Sequence, residues 1–537
     1  MTEKQDRRVL LLFLPALAGM LAVYISTLKG PGIGGDATIY VESAKNLLNG
    51  TGLGLVGPSG EFRLLPYFAP LFSLVLAFFG LLGFDLVSAA QWLNILLYGG
   101  LIWMVAYFSY RTSHMLWLSV LAALLVAVSP VLIPVYSWAM SEPLSIFLGF
   151  AGLWFVLPEL SGAERNWKWF VGGLVTGLSF LTRYGSAAFL GAWTMVVLLR
   201  SAGSFPKRLA NAVKFGVTGS LPMLAWVIYD LTHTATVGSR SLESAAGITG
   251  RLLSFWPALE EVILFWFIPE SWSGSPPYPS FLNHVIAAGF CVFAVGSLIL
   301  LIRKIACLPE GKARGLYDLI LALAGFSLVY GLVMFGVYLF TYPPITIGSR
   351  MFSPAHIAVV WSLGLAITLL AGSITRKSTN RWLPVVLMLL LVGWYSLRSI
   401  RIVAQNYELG LGYHSSAWQQ SETMEAVRRL PDDTLIVTNE ETAVLFLTGK
   451  PSLAFQEIFQ DHPLDRFTRY GDGALPLDEA QEAFRQDGAA FVLFNSVFEQ
   501  LEGIYGAQTE QRVESLTEGL QKAFQGEDGA IYYYPEE

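Results

Sequence analysis

The chain has 537 residues, of which 54% are hydrophobic and only 14% charged. A soluble domain carries about 25% charged residues, so a wholly soluble protein is excluded. The net charge of −6 conceals an asymmetry: residues 1–401 sum to +10 and residues 402–537 to −16. That shift predicts a membrane body over 1–401 and an acidic, water-soluble tail domain over 402–537. Two cysteines exclude a disulfide framework, and no basic run suits nucleic acid.

Apolar runs of membrane-spanning character recur at 9–28, 86–110, 115–134, 142–158, 168–182, 186–200, 214–232, 281–302, 316–340, 351–372 and 382–397. They predict a polytopic α-helical membrane protein with about eleven spans. Lys4, Arg7 and Arg8 precede the first run, which puts the N-terminus in the cytoplasm. Alternation then gathers 17 basic residues in short cytoplasmic segments against 9 in the outer ones, and carries the tail outside. Counting 67–82 as a span would invert every later loop, so it reads as a juxtamembrane or re-entrant helix on the outer face. The run 252–268 reads the same way, because Glu260 and Glu261 would be costly in lipid.

The tail alternates helix and strand signals. Helices are expected at 417–430, 441–449, 477–488 and 508–525, and strands at 434–439, 489–495 and 530–534. Gly449 stands at an expected C-cap. The alternation suggests a small α/β domain without a Gly-rich nucleotide loop, an accessory module rather than a separate enzyme.

Ionisable residues are scarce in the body, so their places are informative. Asp36 follows Gly34-Gly35 in the first outer loop and opens an expected helix. It would cap that helix, at roughly 1 kcal/mol, or serve as general base for an acceptor hydroxyl. Glu42 and Lys45 share its helix and can pair. Glu142, in Ser141-Glu142-Pro143, would offset a helix dipole or act as a second carboxylate. Arg63, Arg183 and Arg350 lie on the same expected face. Arginine suits phosphate oxygens, although one alone could simply be solvated or snorkel to headgroups. Tyr184, Tyr342 and His356 are candidate substrate contacts, with a core hydrogen bond the competing role for His356. No HExxH, GxSxG, P-loop or Cys/His metal cluster occurs, so no metal ligand is assigned.

Taken in order, these segments resemble the GT-C membrane glycosyltransferases, in particular the protein O-mannosyltransferases and the lipid A aminoarabinose transferase. The resemblance rests on Gly34-Gly35-Asp36 with YVESAKNLLNGTG, Pro66 and Pro70-Leu71, Ser141-Glu142-Pro143-Leu144, GLSFLTRYG at 177–185 and GSRMFSPAHI at 348–357. It implies a polyprenyl-phosphate sugar donor, a hydroxyl acceptor on a lipid, glycan or protein, and inverting transfer at the outer face of a plasma membrane. It implies Asp36 as the catalytic carboxylate, Glu142 as the second-loop acid, and Arg63, Arg183 and Arg350 as donor-phosphate ligands. A single acid after Gly-Gly departs from the paired acids of the family and leaves a divalent metal unindicated. Arg63 stands where aminoarabinose-type enzymes carry a lysine. The competing class is a transporter or lipid flippase. Against it, the chain shows no internal repeat and its charges gather at one face.

Overall fold

A computed structural model describes all residues except 1–9, 58–59, 61, 65–67, 161–164, 235–240, 243–244, 270–278, 307–312, 343–344, 374–382, 456–487 and 536–537. In chain order, α1 (Leu14–Ser26) follows a 3-10 turn, and α2 (Gly35–Leu48) leads into a short hairpin, β1 (Gly54–Val56) with β2 (Phe62–Leu64). Next come α3 (Leu71–Leu81), α4 (Leu86–Ser113), α5 (Leu116–Ala127), α6 (Leu132–Ser137), α7 (Glu142–Leu160), α8 (Asn166–Phe180), α9 (Ala187–Arg200) and α10 (Phe205–Thr234). The two-residue strand β3 (Ser241–Leu242) precedes α11 (Ala245–Phe267), α12 (Phe281–Ala306) and α13 (Ala313–Phe340). It pairs with β4 (Thr341–Tyr342), after which α14 (Ser353–Ser373) and α15 (Leu383–Leu409) complete the helical part.

Each expected span except 115–134 falls on a single helix. Among the described residues, four of these, Leu86–Ser113, Phe205–His233, Gly315–Phe340 and Val385–Leu409, are long and apolar enough to cross a membrane by length and composition. Expected ends shift where a local signal interrupts or extends an apolar run. The run 115–134 breaks after Ala127, because Ser129-Pro130 starts a new short helix whose N–H groups at Val131 and Leu132 donate to Ser129 Oγ. Helix α15 runs twelve residues past the expected end at 397, to Leu409. The 67–82 run forms α3 and the 252–268 run lies on α11, where Glu260 is buried and accepts a 2.6 Å hydrogen bond from His284 Nδ1.

Two compact units emerge. The first holds residues 1–28, 91–228 and 240–408. Its core is aromatic: Phe150, Phe189, Trp193, Phe326 and Trp361 are all fully buried, with the Phe189 and Phe326 rings stacked 4.4 Å apart. The indoles find polar partners, Trp193 Nε1 donating to Gly149 O at 2.8 Å and Trp361 Nε1 to Ser109 Oγ at 2.9 Å. Helices α8 and α10 approach through small residues. A Cβ on Gly173 would lie 2.2 Å from Phe215 O, and one on Gly177 2.1 Å from Gly219 O. This is the small-xxx-small contact that draws helices together in lipid. Buried cations close two helix ends. Arg398 and Trp394 of α15 donate to the last carbonyls of α11, and Arg251 of α11 donates to Tyr338 O and Leu339 O at the end of α13 and to Thr341 O just beyond it.

The second unit holds residues 29–90, 229–239 and 409–537. It contains a five-stranded mixed sheet in the order β6-β5-β7-β9-β8, made of β5 (Ile436–Thr438), β6 (Leu453–Ala454), β7 (Ala490–Phe494), β8 (Gln521–Gln525) and β9 (Gly529–Tyr533). Two helices, α16 (Ser416–Gln419) and α17 (Glu422–Arg428), precede the first strand; α18 (Glu441–Thr448) connects β5 to β6, and α19 (Ser496–Tyr505) and α20 (Thr509–Thr517) lie between β7 and β8. The core is Val437, Leu453, Phe455, Phe491, Leu493, Val497 and Leu501.

The expected helix 417–430 is two helices, because Ser421 Oγ accepts the Met424 N–H at 2.8 Å and starts α17 anew. The expected helix 508–525 stops at Thr517, Gly519 turns the chain at φ +79°, and 521–525 is a strand instead. Helix α19 and strand β6 were not foreseen. Gly449 closes α18 at φ +75°, as a C-cap glycine does. The expected helix 477–488 lies outside the described residues, apart from Gly488.

Candidate active site

In the first unit, three candidate residues meet. Glu142 opens α7 and is buried, with its side chain 4% exposed. Its Oε1 lies 2.8 Å from Arg183 Nη1 and 3.0 Å from Arg350 Nε. A carboxylate buried alone is costly, and two guanidinium groups offset that cost.

Each member reaches this place by a local device. Asn94 of α4 donates to Trp138 O at 2.7 Å and fixes the turn before Ser141-Glu142. The chain leaves α8 through Thr182, whose hydroxyl donates to Ser179 O at 2.5 Å, and Arg183 then takes up an extended backbone before a 3-10 turn over Tyr184–Ser186. Ser186 of that turn shares a hydrogen bond with Ser145 of α7, so the turn carrying Arg183 is tied to the helix carrying Glu142. Arg350 lies in the turn that starts α14: Phe352 N–H donates to Gly348 O and Ser353 N–H to Arg350 O, both at 3.2 Å. Arg183 Nη2 also reaches Met351 Sδ at 3.1 Å, while Tyr330 of α13 donates to Met351 O at 2.5 Å. Tyr330 is a supporting residue that sequence reasoning missed, since a tyrosine in an apolar span carries no distinguishing signal.

The arginine side chains differ in access. That of Arg183 is 24% exposed and that of Arg350 47%. Guanidinium groups have five donors in a fixed fork, so a pair held on one carboxylate can also bind an oxyanion such as a phosphate.

The other nominated residues take separate places. Tyr184 accepts a 3.0 Å hydrogen bond from Trp226 Nε1. His356 is fully buried, with Nε2 3.0 Å from Ser129 Oγ and its ring packed on Trp266 and Tyr395. This is a hydrogen bond within the core of the first unit. Tyr342 belongs to β4, where its backbone pairs with Ser241.

Within the second unit, Asp36 occupies the first turn of α2 and is half-buried. Gly34 precedes the helix in an extended conformation and Thr38 N–H donates to Gly34 O at 2.9 Å. The backbone, with no side-chain cap from Gly34, starts this helix. Glu42 pairs with Lys45 at 2.6 Å, the bland role foreseen for it. Arg63 lies on β2, its backbone opposite Leu55 of β1. Among the described residues, no group of three His, Cys, Asp or Glu side chains could hold a metal ion.

No protein-family model matches the sequence, and no curated relative matches it. Solved structures do match in fold. ArnT from Cupriavidus metallidurans, bound to undecaprenyl phosphate, is 12% identical with a TM-score of 0.54, over 97% of this chain and 99% of that one. The oligosaccharyltransferase AglB from Archaeoglobus fulgidus, in complex with an inhibitory peptide and a dolichol-phosphate, is 11% identical with a TM-score of 0.54, over 100% of this chain and 75% of its own. The arabinofuranosyltransferase AftD from Mycobacteria is 12% identical with a TM-score of 0.51, over 100% of this chain and 42% of its own. All three are GT-C glycosyltransferases. This chain has the GT-C fold.

Proposed function

We propose that the protein is a membrane glycosyltransferase that moves a sugar from a polyprenyl-phosphate donor to a hydroxyl of a lipid, glycan or protein acceptor at the outer face of the membrane. The observation that carries this reading is the convergence of Arg183 and Arg350 on the buried Glu142. The likeness in fold to ArnT bound to undecaprenyl phosphate and AglB bound to a dolichol-phosphate supports it.

In this reading Asp36 takes the proton from the acceptor hydroxyl. The acceptor oxygen forms its bond to the anomeric carbon as the bond from that carbon to the phosphate oxygen breaks. Polyprenyl phosphate departs with the electron pair, and Arg183 and Arg350, with Arg63, stabilise its growing charge. A phosphate leaving group is weakly basic and needs no proton from a general acid. Attack opposite the leaving phosphate gives inversion. Glu142 holds the two guanidinium groups in a fixed orientation, so little reorganisation is left for the transition state. Residues 1–401 form the membrane body and residues 402–537 the extracytoplasmic tail, with the N-terminus cytoplasmic in a plasma membrane. The test is consumption of a sugar-labelled polyprenyl-phosphate hexose by wild type against the Arg183→Ala and Arg350→Ala variants. Turnover must fall in both; unchanged turnover in both removes the phosphate role.

A further inference from the structure

The mechanism leaves one well-built feature of the second unit unused. The segment before Asp36 is fastened to the turn that follows α15. Ile33 and Gly412 form a parallel bridge, with Tyr413 N–H donating to Ile33 O at 2.8 Å. His414 Nδ1 donates to Pro31 O at 2.7 Å, across 383 positions of sequence. Tyr413 Oη and Thr442 Oγ1 share a 2.7 Å hydrogen bond, and that Thr442 oxygen lies 3.8 Å from where a Cβ on Gly35 would stand. Pro31, Gly32, Ile33 and Tyr413 are all buried.

Glycines on both sides make the approach possible. Gly412 has φ +53°, and a Cβ there would lie 1.9 Å from Ile33 O. Gly30 has φ +114°, and a Cβ there would lie 2.6 Å from His414 Nδ1. Behind the turn, the rings of Tyr413 and His414 pack against Phe446 of α18. A fastening with two main-chain-directed hydrogen bonds, ending three residues before Asp36, fixes where the first turn of α2 begins.

We propose that residues 411–414 are a latch through which the tail domain positions Asp36, with His414 and Tyr413 as positioning residues. This rests on the reading of Asp36 as the general base. The tail is then a working part of the catalytic loop: without the latch, the carboxylate is present but misplaced, and misplacement by about 1 Å costs on the order of 100-fold in rate.

The test uses the full-length protein in detergent, sugar-labelled polyprenyl-phosphate hexoses as donor, and a membrane lipid and glycan extract as acceptor source. His414→Ala is compared with His414→Asn, whose amide restores a donor near Pro31 O, and with Asp36→Asn. Amide hydrogen exchange over residues 30–40 is followed in each. The expected result is faster exchange and a kcat lower by about 10- to 100-fold in His414→Ala, with donor KM within about twofold of wild type. His414→Asn regains most of both. Adding His414→Ala to Asp36→Asn costs nothing further, because the positioned group is already gone.

Unchanged exchange in His414→Ala overturns the latch. Faster exchange with undiminished kcat, or a raised donor KM alone, overturns its positioning role. Full activity in Asp36→Asn sinks the base reading instead, while the exchange measurement still judges the latch.

Discussion

Arg183 Nη1 stands 2.8 Å from Glu142 Oε1, joining the turn after α8 to the start of α7. The same oxygen takes Arg350 Nε from the start of α14. One buried carboxylate therefore organises two cations from distant parts of the chain. Glu142→Gln keeps the shape and removes the charge. Turnover of a polyprenyl-phosphate sugar is expected to fall by about 100-fold as the arginines lose their orientation. Thermal unfolding in detergent should fall further in Glu142→Ala than in Arg350→Ala. Removing the carboxylate takes the buried partner from Arg183, whose side chain is only 24% exposed, whereas the Arg350 side chain is 47% exposed and its pairing is screened.

The arginines themselves are testable by a swap that keeps charge. Lysine lacks the planar fork. Arg183→Lys and Arg350→Lys should each raise donor KM by about tenfold, the loss of one charge-assisted hydrogen bond of about 1.5 kcal/mol. Steady-state kinetics across donor concentration measure this. Equal KM in the lysine variants and wild type would argue for charge alone.

Helix packing predicts a sharper structural effect. Gly177→Val places side-chain atoms where Gly219 O already lies 2.1 Å from the Cβ position. The α8–α10 contact should open, and monodisperse protein should be lost on size-exclusion chromatography. Gly289→Ala, with nothing within 4 Å of its Cβ position, is the matched control. It should be neutral or stabilising by up to about 1 kcal/mol.

Acid should loosen the tail at a particular carboxylate. Burial alone would raise the Asp528 carboxyl. Hydrogen bonds from the Ser421 and Thr423 hydroxyls and from backbone N–H groups outweigh that effect and hold it below its ordinary value. Thr423 Oγ1 and Thr423 N donate to Asp528 Oδ1 at 2.8 and 3.1 Å. A depressed carboxyl contributes stability above its unfolded pKa, and that stability is lost as pH falls through the folded one. The protection factors of the β9 amides, taken against the intrinsic exchange rate at each pH, should therefore fall below about pH 4. Asp528→Asn should remove that contribution at neutral pH and flatten the acid limb.

Much of this architecture is legible in residue order, because lipid forces long apolar runs and makes each charge conspicuous. That is why Glu142, Arg183 and Arg350 each stand out in the sequence. Their mutual pairing could not be read, since it depends on how turns after α8 and before α14 fold back on α7. The 517–521 boundary was missed because a polar run suits either helix or edge strand, and only Gly519 marks the change. The latch at 411–414 was invisible for a different reason. Glycine, tyrosine and histidine in a short loop carry no period, and their partners lie near residue 31.

The most direct measurement is donor consumption by purified wild type beside Asp36→Asn. It would use sugar-labelled polyprenyl-phosphate hexoses with a membrane lipid and glycan extract. The account predicts transfer of label to an acceptor by wild type and its near-complete loss in Asp36→Asn. Donor that binds equally to both proteins and is consumed by neither, in an extract shown to contain the acceptor, would contradict it and favour lipid translocation.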